Sequence, residues 1–497
     1  MSRKNFAGTV ERSYKNAMDI LNRRRRPARP TSKPTVSYAG IDRMPDLKGT
    51  SDLHGTPSII GMEQWLQHLG HSATDIDRLN IIHVAGTKGK GSTCAFIDSF
   101  LQCHSERSGY PCKTGLYTSP HLIVPEERIR INMKPLERSL FAKYFFEVVE
   151  LLSKKDPEDF EVRPRFLQLF LLVAFHTFIQ EGVDAAIIET HHGGEYDATN
   201  VVDHPVVAAI TSLGMDHVNQ LGPSIENIAW HKAGIFKHGA AAFSVVEDGP
   251  VAKVLQDRAA AKGVDLKFVN VDPSLPQDEI NLKPSVQRLN CSLALAVVRA
   301  FIRRKASTVM DSYLHPDDVI NGIRRFSWPG RFQIIAKQNN RWFLDGAHNE
   351  MSVDVAGKWF MEASAAIQGP YPYPRILIFG HVTEQRDATA VIRSLASSFQ
   401  PGDIQIAIFT MYDPVQDFEA TTENLVKHAD LSILQDFSYV WTARHAKSEV
   451  IFTADVPHAL ARAREFGDVN GGMQTLVTGS QHLVGAALFY LNQPSRL

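Results

Sequence analysis

The stretch with the clearest capacity for chemistry spans residues 81–93, where a β-branched run leads into a loop with three glycines, Lys90 and the hydroxyls of Ser92 and Thr93. Glycines allow backbone N–H groups to curl around an anion, and the positive end of a helix, predicted over 94–102, favours negative charge there. Lys90 would reach terminal phosphates, and the hydroxyl of Ser92 or Thr93 would bind Mg²⁺. The loop therefore predicts ATP or GTP binding, although its spacing is shorter than the usual phosphate-loop pattern: Gly86-x-x-Gly89-Lys90-Gly91-Ser92.

Further polar groups follow two other predicted strands. Glu189 ends the apolar run 185–189, and Asp216 and His217 follow the run 206–211. Because the carboxyl ends of strands in an open α/β sheet face the ligand crevice, we expect Glu189 to hold a metal that bridges the phosphates. An isolated histidine is more often structural, but polar clusters at successive strand ends favour a functional site.

The elements around these residues alternate between strands and helices from Leu79 onward, which predicts an α/β fold with a mostly parallel sheet. The run 165–179 is apolar on almost every face and predicts a buried helix. Two strong breakers, Pro329 and Gly330, predict a boundary, so we expect a basic arm over 1–43 and domains over 44–327 and 328–497. Predicted strands are 80–85, 185–189, 206–211, 241–246, 266–271, 332–335, 342–344, 376–379, 404–409 and 475–478, with further helices over 352–362, 388–399 and 456–466.

Composition narrows the functional class. The 497 residues include 53 Lys and Arg against 54 Asp and Glu, a net charge of −1 that gives no general attraction for nucleic acid or a membrane surface. Four cysteines without a C-x-x-C pair indicate neither a disulfide framework nor a zinc site. The apolar run 169–175 is shorter than the ~20 residues of a membrane helix, and no signal sequence follows Met1. We expect a cytoplasmic monomer that acts on small molecules.

The start of the chain is unlike the rest, because residues 1–34 carry ten Lys and Arg but only Glu11 and Asp19 as acids. An organelle-targeting presequence, which would allow a mitochondrial form, and a nuclear-localisation patch are two interpretations. The third, which we favour, is a solvated helix over 10–21 followed by a proline-broken arm.

Motifs in one consistent order, within a match running from about residue 60 to Gly485, resemble those of folylpolyglutamate synthases in the Mur ligase superfamily. The resemblance implies a P-loop ATPase-type domain with a mostly parallel sheet, and a smaller C-terminal Rossmann-like α/β ligase domain. It also implies an ATP-dependent ligase that adds L-glutamate to the γ-carboxylate of a tetrahydrofolyl-(poly)glutamate through an acyl phosphate. The motifs are Gly86-Thr-Lys-Gly-Lys-Gly-Ser92, Tyr117-Thr-Ser-Pro-His121, Glu127-Arg-Ile-Arg-Ile-Asn132, Glu189 with Gly193-Gly194 and Asp197-x-Thr-Asn200, Asp216-His217, Lys232-Ala-Gly-Ile235, Trp328-Pro-Gly-Arg331 and Asp345-Gly-Ala-His-Asn349.

The same resemblance implies roles for individual residues. Catalysis would rest on Lys90, His348 and a carbamylated Lys232. ATP would contact Gly86, Thr87, Gly89, Lys90, Gly91, Ser92, Thr93, Gln287, Asn290, Arg331 and Asp345. Two Mg²⁺ ions, with K⁺ as a further candidate, would be held by Ser92, Ser119, Glu189 and His217. The acceptor acid would contact Thr118, Ser119, Pro120, His121, Arg128 and His191.

Three departures from the family pattern lie near the expected acceptor site. His191 replaces a glycine of the loop after Glu189, Pro125 stands where an arginine is lost, and Leu167 and Gln168 lie where a Leu-Thr pair is usual. They leave two alternatives: a diverged ligase that joins another carboxylic acid to an amino acid, and a catalytically silent nucleotide-binding regulator.

Overall fold

The structure is a computed structural model that describes residues 11–25, 57–154, 163–305, 313–367, 373–382, 387–412 and 432–493. The chain divides into two compact units. Unit 1 comprises Met1–His121 and Glu126–Ser327, and unit 2 comprises Leu122–Pro125 and Trp328–Leu497. Most of the basic arm expected over 1–43 lies outside the described residues.

Unit 1 is built on an eight-stranded sheet with strand order β4-β3-β2-β5-β1-β6-β7-β8. Neighbouring strands from β2 to β8 are parallel, and β3 and β4 extend the sheet in antiparallel fashion. The strands are β1 Ile82–Ala85, β2 Thr114–Tyr117, β3 Ile129–Ile131, β4 Lys134–Pro135, β5 Ala185–Glu189, β6 Val207–Ile210, β7 Ala241–Val245 and β8 Leu266–Val269.

Helices pack against this sheet and bury its central strands, whose side chains are apolar on both faces. The described helices of unit 1 are α1 Tyr14–Asn22, α2 Met62–His68, α3 Ala73–Arg78, α4 Lys90–Ser108, α5 Arg138–Ser153, α6 Phe166–Gln180, α7 Val218–Leu221, α8 Ile225–Lys232, α9 Gly249–Ala261, α10 Ser285–Lys305 and α11 Pro316–Arg325. As predicted, α6 is buried on most faces.

Unit 2 contains a six-stranded sheet of order β13-β12-β11-β14-β10-β9, parallel except for the β9–β10 pair. Its strands are β9 Gln333–Lys337, β10 Asn340–Leu344, β11 Arg375–Phe379, β12 Ile406–Thr410, β13 Glu449–Thr453 and β14 Met473–Thr478. Its described helices are α12 Glu350–Ala365, α13 Ala388–Ser397, α14 Ser432–Thr442, α15 Val456–Val469 and α16 Gln481–Asn492.

The predicted α/β class and mostly parallel sheet are confirmed, and each predicted strand is present with ends shifted by at most two residues. Four short strands, β2, β3, β4 and β13, were not predicted. The helix expected over 94–102 begins at Lys90 instead, because Gly89 adopts a left-handed backbone (φ 84°) that starts the helix early. Lys90 and Ser92 therefore lie in its first turn.

Among the described residues, one helix, α10, is long and apolar enough to cross a membrane. The buried share of its apolar window is 67%. It packs on α4 and on strands β6 to β8, so it has the environment of a core helix.

The N-terminal helix is not the solvated helix that we favoured from the sequence. Ala17 and Leu21 of α1 are completely buried in a core shared with α5 and α6. Its charged residues occupy the opposite side, which is why charge counting alone suggested a solvated helix.

We expect Leu21→Ala to lower the free energy of unfolding of the protein by about 2–4 kcal/mol, because it removes buried methyl groups and leaves a cavity. Lys15→Ala, on an exposed position of the same helix, should change it by less than about 0.5 kcal/mol. Denaturant titration of both variants measures the difference. Equal effects would contradict the packing of α1.

Candidate active site

The glycine-rich loop connects β1 to α4, and two of its glycines are required by close packing. Gly86 (φ 148°) would bring a Cβ into Thr211, and Gly89 (φ 84°) would bring one into the amide of Asn290. The N–H groups of a first helical turn lack acceptors within the helix. The start of α4 therefore offers N–H donors and the helix dipole to an anion.

This loop is held in place by the loop that follows β6. The N–H groups of Thr87 and Lys88 donate to the carbonyl of Ser212 at 3.0 and 3.1 Å, and the Thr87 hydroxyl donates to Gly214 at 3.1 Å. Lys88 Nζ lies 3.3 Å from Asp216 Oδ2. These contacts hold the loop against the segment that follows β6, the strand next to β1 in the sheet.

Two lysines meet at one carbonyl oxygen in the centre of the site. Lys90 Nζ donates to Gly86 O at 3.1 Å, and Lys232 Nζ donates to the same oxygen at 2.7 Å. Burial, with the charge of Lys90 as a smaller cause, lowers the pKa of Lys232 well below its ordinary value. Two lysine amino groups are thus concentrated where the loop would receive phosphate.

Glu189 stands beside these lysines because of strand register. It pairs with Val84 across the parallel β1–β5 ladder, so its side chain emerges next to the loop. Its Oε1 lies 3.8 Å from Lys90 Nζ, and its Oε2 accepts the N–H of Ser119 at 3.2 Å. The structure thus brings three of the predicted site residues, Lys90, Ser119 and Glu189, together.

The donor set at this place fits Mg²⁺. A buried carboxylate with the hydroxyl-bearing residues Ser92 and Ser119 supplies hard oxygen ligands, and Mg²⁺ bound with nucleotide commonly uses only one or two carboxylates. No group of three or more His, Cys, Asp or Glu poised for a metal occurs among the described residues. His217 lies at the start of α7, where its ring is centred 4.5 Å from that of His192.

His191 is a buried link between two elements. Its Nδ1 lies 3.4 Å from Asp197 Oδ1, and its Nε2 lies 2.6 Å from Tyr117 Oη. Burial by itself would raise the pKa of Asp197, but the charge and hydrogen bond of His191 and the N–H groups of His192 and Thr199 leave it below its ordinary value. The side chain that departs from the family pattern therefore braces the loop after Glu189.

The hydrogen bonds of Asp197 continue through Thr199 to His83 on strand β1. The Thr199 hydroxyl donates to Asp197 Oδ1 at 2.7 Å, and His83 Nε2 lies 2.9 Å from the same hydroxyl oxygen. Burial lowers the pKa of His83 to about 3. A neutral His83 can donate to Thr199, which leaves the chain of hydrogen bonds pointing toward the Asp197 carboxylate.

The remaining residues predicted to contact an acceptor lie on the segment after β2. The N–H of Thr118 donates to the carbonyl of Arg128 at 3.0 Å, and Arg128 Nε donates to His121 Nδ1 at 2.9 Å. Pro120 lies between Ser119 and His121 on this segment. The structure therefore gathers this set beside Glu189.

The residues predicted for adenine recognition lie together on α10. Asn290 Nδ2 donates to Gln287 Oε1 at 2.9 Å, and both side chains are buried. Because Asn290 also contacts the position of Gly89, the pair lies directly behind the phosphate loop.

In unit 2, Asp345 braces the turn after β10. Its Oδ2 accepts the N–H of Phe332 at 3.0 Å and its Oδ1 accepts that of Ala347 at 3.0 Å. Arg331 Nη1 donates to Gly330 O at 3.0 Å, and His348 Nδ1 lies 2.9 Å from Gly346 O. Asn349, rather than Asp345, is the cap of α12.

Sequence reasoning gave no separate role to several residues that the structure places at the site. Lys88, Tyr117 and His192 contact predicted site residues, and His83 supports Asp197 through Thr199. A histidine within an apolar run, Ile81-Ile82-His83-Val84, was the available sequence signal, because an imidazole in a buried strand needs hydrogen-bond partners.

Comparisons of sequence and of structure both find folylpolyglutamate synthases that are similar to this chain. No family model matches the chain. The chain is 36% identical over 521 residues to a folylpolyglutamate synthase of Neurospora crassa, covering 98% of this chain and 93% of that protein. It is 36% identical over 462 residues to a probable folylpolyglutamate synthase of Schizosaccharomyces pombe, with 90% of each chain covered. A solved Mycobacterium tuberculosis folylpolyglutamate synthase, complexed with ADP and AMPPCP, shares the fold at 22% identity and a TM-score of 0.68, covering 87% of this chain and 95% of that one.

Proposed function

The chain belongs to the folylpolyglutamate synthase family, and from that premise we propose that it is an ATP-dependent, ADP-forming ligase. It adds L-glutamate to the γ-carboxylate of a tetrahydrofolyl-(poly)glutamate. The observation that carries this proposal is the meeting of Lys90 and Lys232 at Gly86 O, with Glu189 3.8 Å from Lys90. That arrangement suits a triphosphate and its metal.

The reaction needs activation because a carboxylate is a poor acyl donor. The γ-carboxylate oxygen attacks the terminal phosphorus of ATP, the bond to the bridging oxygen of ADP breaks, and an acyl phosphate forms. The α-amine of glutamate then attacks the acyl carbon, loses a proton, and phosphate leaves. Each step is helped by groups that offset the charge of the phosphates.

The residues of unit 1 supply those groups. The loop from Gly86 to Thr93 and the start of α4 bind and orient the phosphates. Lys90 places its positive charge beside the transferred phosphoryl group, which reduces repulsion between the two anionic reactants. Glu189, Ser92 and Ser119 would hold one Mg²⁺ and His217 a second, and these ions neutralise developing negative charge when bound.

Lys232 is proposed to carry a carbamate. Its amine nitrogen would bond to the carbon of CO₂ with loss of a proton, which converts a buried cation into an anion able to support the second metal. A lowered pKa favours the neutral amine that this reaction requires. The remaining N–H can still donate to Gly86 O.

The proposal also assigns roles to residues of unit 2 and a class of substrate to the protein. Arg331, Asp345 and His348 are assigned to ATP and the acyl phosphate by their motif positions. The net charge of −1 supports small-molecule substrates. We also propose a monomer in the cytoplasm.

A ligation assay tests the function. Purified protein with ATP, Mg²⁺, L-glutamate and tetrahydrofolyl-monoglutamate should release phosphate and yield an acceptor one glutamyl residue heavier by mass spectrometry. The matched control acceptor is a reduced pteroate, which lacks the glutamyl γ-carboxylate and should give no product. Phosphate release only with an unrelated acid would overturn the folate assignment, and no ATP turnover with any acid would favour a silent regulator.

A further inference from the structure

Two arginines from distant parts of unit 1 lie against one aromatic ring. The guanidinium carbon of Arg25, just after α1, lies 4.5 Å from the ring centroid of Phe166. That of Arg128 lies 5.6 Å from the same centroid and 5.1 Å from the ring of Phe170. The faces of aromatic rings attract cations, so the rings hold two like charges close together.

These guanidiniums retain unused hydrogen-bond donors. Arg128 is 5% exposed, and its Nη1 has no hydrogen-bond acceptor among the described residues. Arg25 Nε is also buried, and the described part of the chain offers it no acceptor. Burial is the main cause that lowers the pKa of Arg128 to about 10; the charge of Arg25 adds to this, while Tyr117, Glu189 and Glu127 oppose it. A buried donor without an acceptor costs free energy, so the site is incomplete without a further acceptor group.

The acids next to Arg128 in sequence are engaged elsewhere. Glu126 accepts from Tyr14 Oη at 2.5 Å and from Arg138 Nε at 2.9 Å. Glu127 Oε2 lies 3.9 Å from Arg130 Nη2. Among the described residues, no ion pair joins an acid to Arg25 or Arg128 within 4.0 Å.

The surroundings are also positive. Phe166 is the first residue of α6, whose N-terminus carries partial positive charge. Its N–H donates to the carbonyl of Arg24 at 3.3 Å. Burial and then the charge of Arg163 lower the pKa of Arg24, which indicates a further cation nearby. An anion is the complementary ligand.

The cluster is connected to the reacting end of the site by a short backbone path. The carbonyl of Arg128 accepts the N–H of Thr118 at 3.0 Å, and the next residue, Ser119, donates its N–H to Glu189 at 3.2 Å. A ligand group at Arg128 would therefore lie on the acceptor side of the metal position rather than on the phosphate loop.

We propose that Arg25 and Arg128 bind the α-carboxylate of the glutamyl residue whose γ-carboxylate is activated. This inference rests on the proposed function, because that acceptor carries the two carboxylates on one residue. Guanidinium groups match the planar geometry of a carboxylate. Arg25 is the partly exposed member of the pair.

The consequence is that the site distinguishes glutamyl acceptors from acids that lack the second carboxylate. A suitable pair of probes is tetrahydropteroyl-glutamate and its 4-aminobutyrate analogue, which retains the reactive carboxylate but lacks the α-carboxylate. Arg25→Gln should raise the KM for the glutamyl acceptor by about tenfold, the loss expected for a charge-assisted hydrogen bond. It should change the KM for the analogue by less than about twofold and leave the KM for ATP unchanged.

Arg128→Gln should show the same pattern, and Arg25→Lys should recover part of the lost affinity. The control is Arg12→Gln, which removes an exposed arginine that precedes α1 and is paired with Glu150. It should change the KM for neither acceptor. Equal shifts for both acceptors, or none for either, would overturn the carboxylate site while ligation by wild-type protein upheld the proposed function. Failure of wild-type protein to ligate or bind either acceptor would overturn both.

Discussion

Replacing Glu189 with alanine is expected to reduce ATP-dependent ligation by about a thousandfold or more while unit 1 stays folded. The carboxylate is the acidic ligand that we propose for the metal, and it lies 3.8 Å from Lys90 Nζ at the glycine-rich loop. Without it, Lys90 remains but the metal loses its anionic ligand. Steady-state ligation over a range of Mg²⁺ concentrations, with circular dichroism to check folding, measures the effect.

The matched control for this variant is Glu181→Ala. Glu181 is another carboxylate of unit 1 with a lysine partner, Lys113 Nζ at 3.3 Å, and a tyrosine donor, Tyr144 Oη at 2.6 Å. Its loss should leave the Mg²⁺ dependence of ligation unchanged. A near-normal rate for Glu189→Ala would remove Glu189 from the metal site.

Replacing Lys232 with alanine is expected to cause a second large loss, again about a thousandfold. The variant removes both the donor to Gly86 O at 2.7 Å and the group proposed to carry a carbamate. Because the carbamate is an anion beside the metal, short carboxylic acids such as formate or acetate should restore part of the activity of Lys232→Ala. Wild-type protein should lose activity in CO₂-free buffer and regain it when bicarbonate is added.

Lys237→Ala provides the comparison, since Lys237 follows in the same segment and lies 3.4 Å from Asp203. The ligation activity of Lys237→Ala should match that of wild type with and without added carboxylic acids or bicarbonate. Full wild-type activity in CO₂-free buffer, combined with no rescue of Lys232→Ala, would show that Lys232 acts as an unmodified amine.

The phosphate loop and Glu189 could be predicted from the sequence because both depend on local structure. Glycine spacing, a following helix and a carboxylate at a strand end are each visible within a few residues. Strand register then places Glu189 beside the loop, because β1 and β5 are parallel neighbours. The α/β class could be predicted for the same reason, since strand and helix periodicities are local.

Predictions that depended on packing were less complete. The helix α1 belongs to the strongly basic segment 1–34, yet its Leu21 is buried in the core of unit 1. Strands β3 and β4 were not predicted, because they are three and two residues long. Such runs are too short to show the alternation of a strand. Their positions are set by pairing of β3 with β2 and of β4 with β3.

The residue pattern by itself indicated a nucleotide-binding α/β protein, since glycines and strand-end acids are local signals of phosphate binding, and the resemblance of its motifs to a known family implied the ligase activity. Only the folded chain brought His191 between Tyr117 and Asp197, and Arg25 beside Arg128 around Phe166. Such contacts join residues far apart along the chain, and the free energy of burying their polar groups depends on which partners the packing supplies. The acceptor side of the site is therefore a property of tertiary structure.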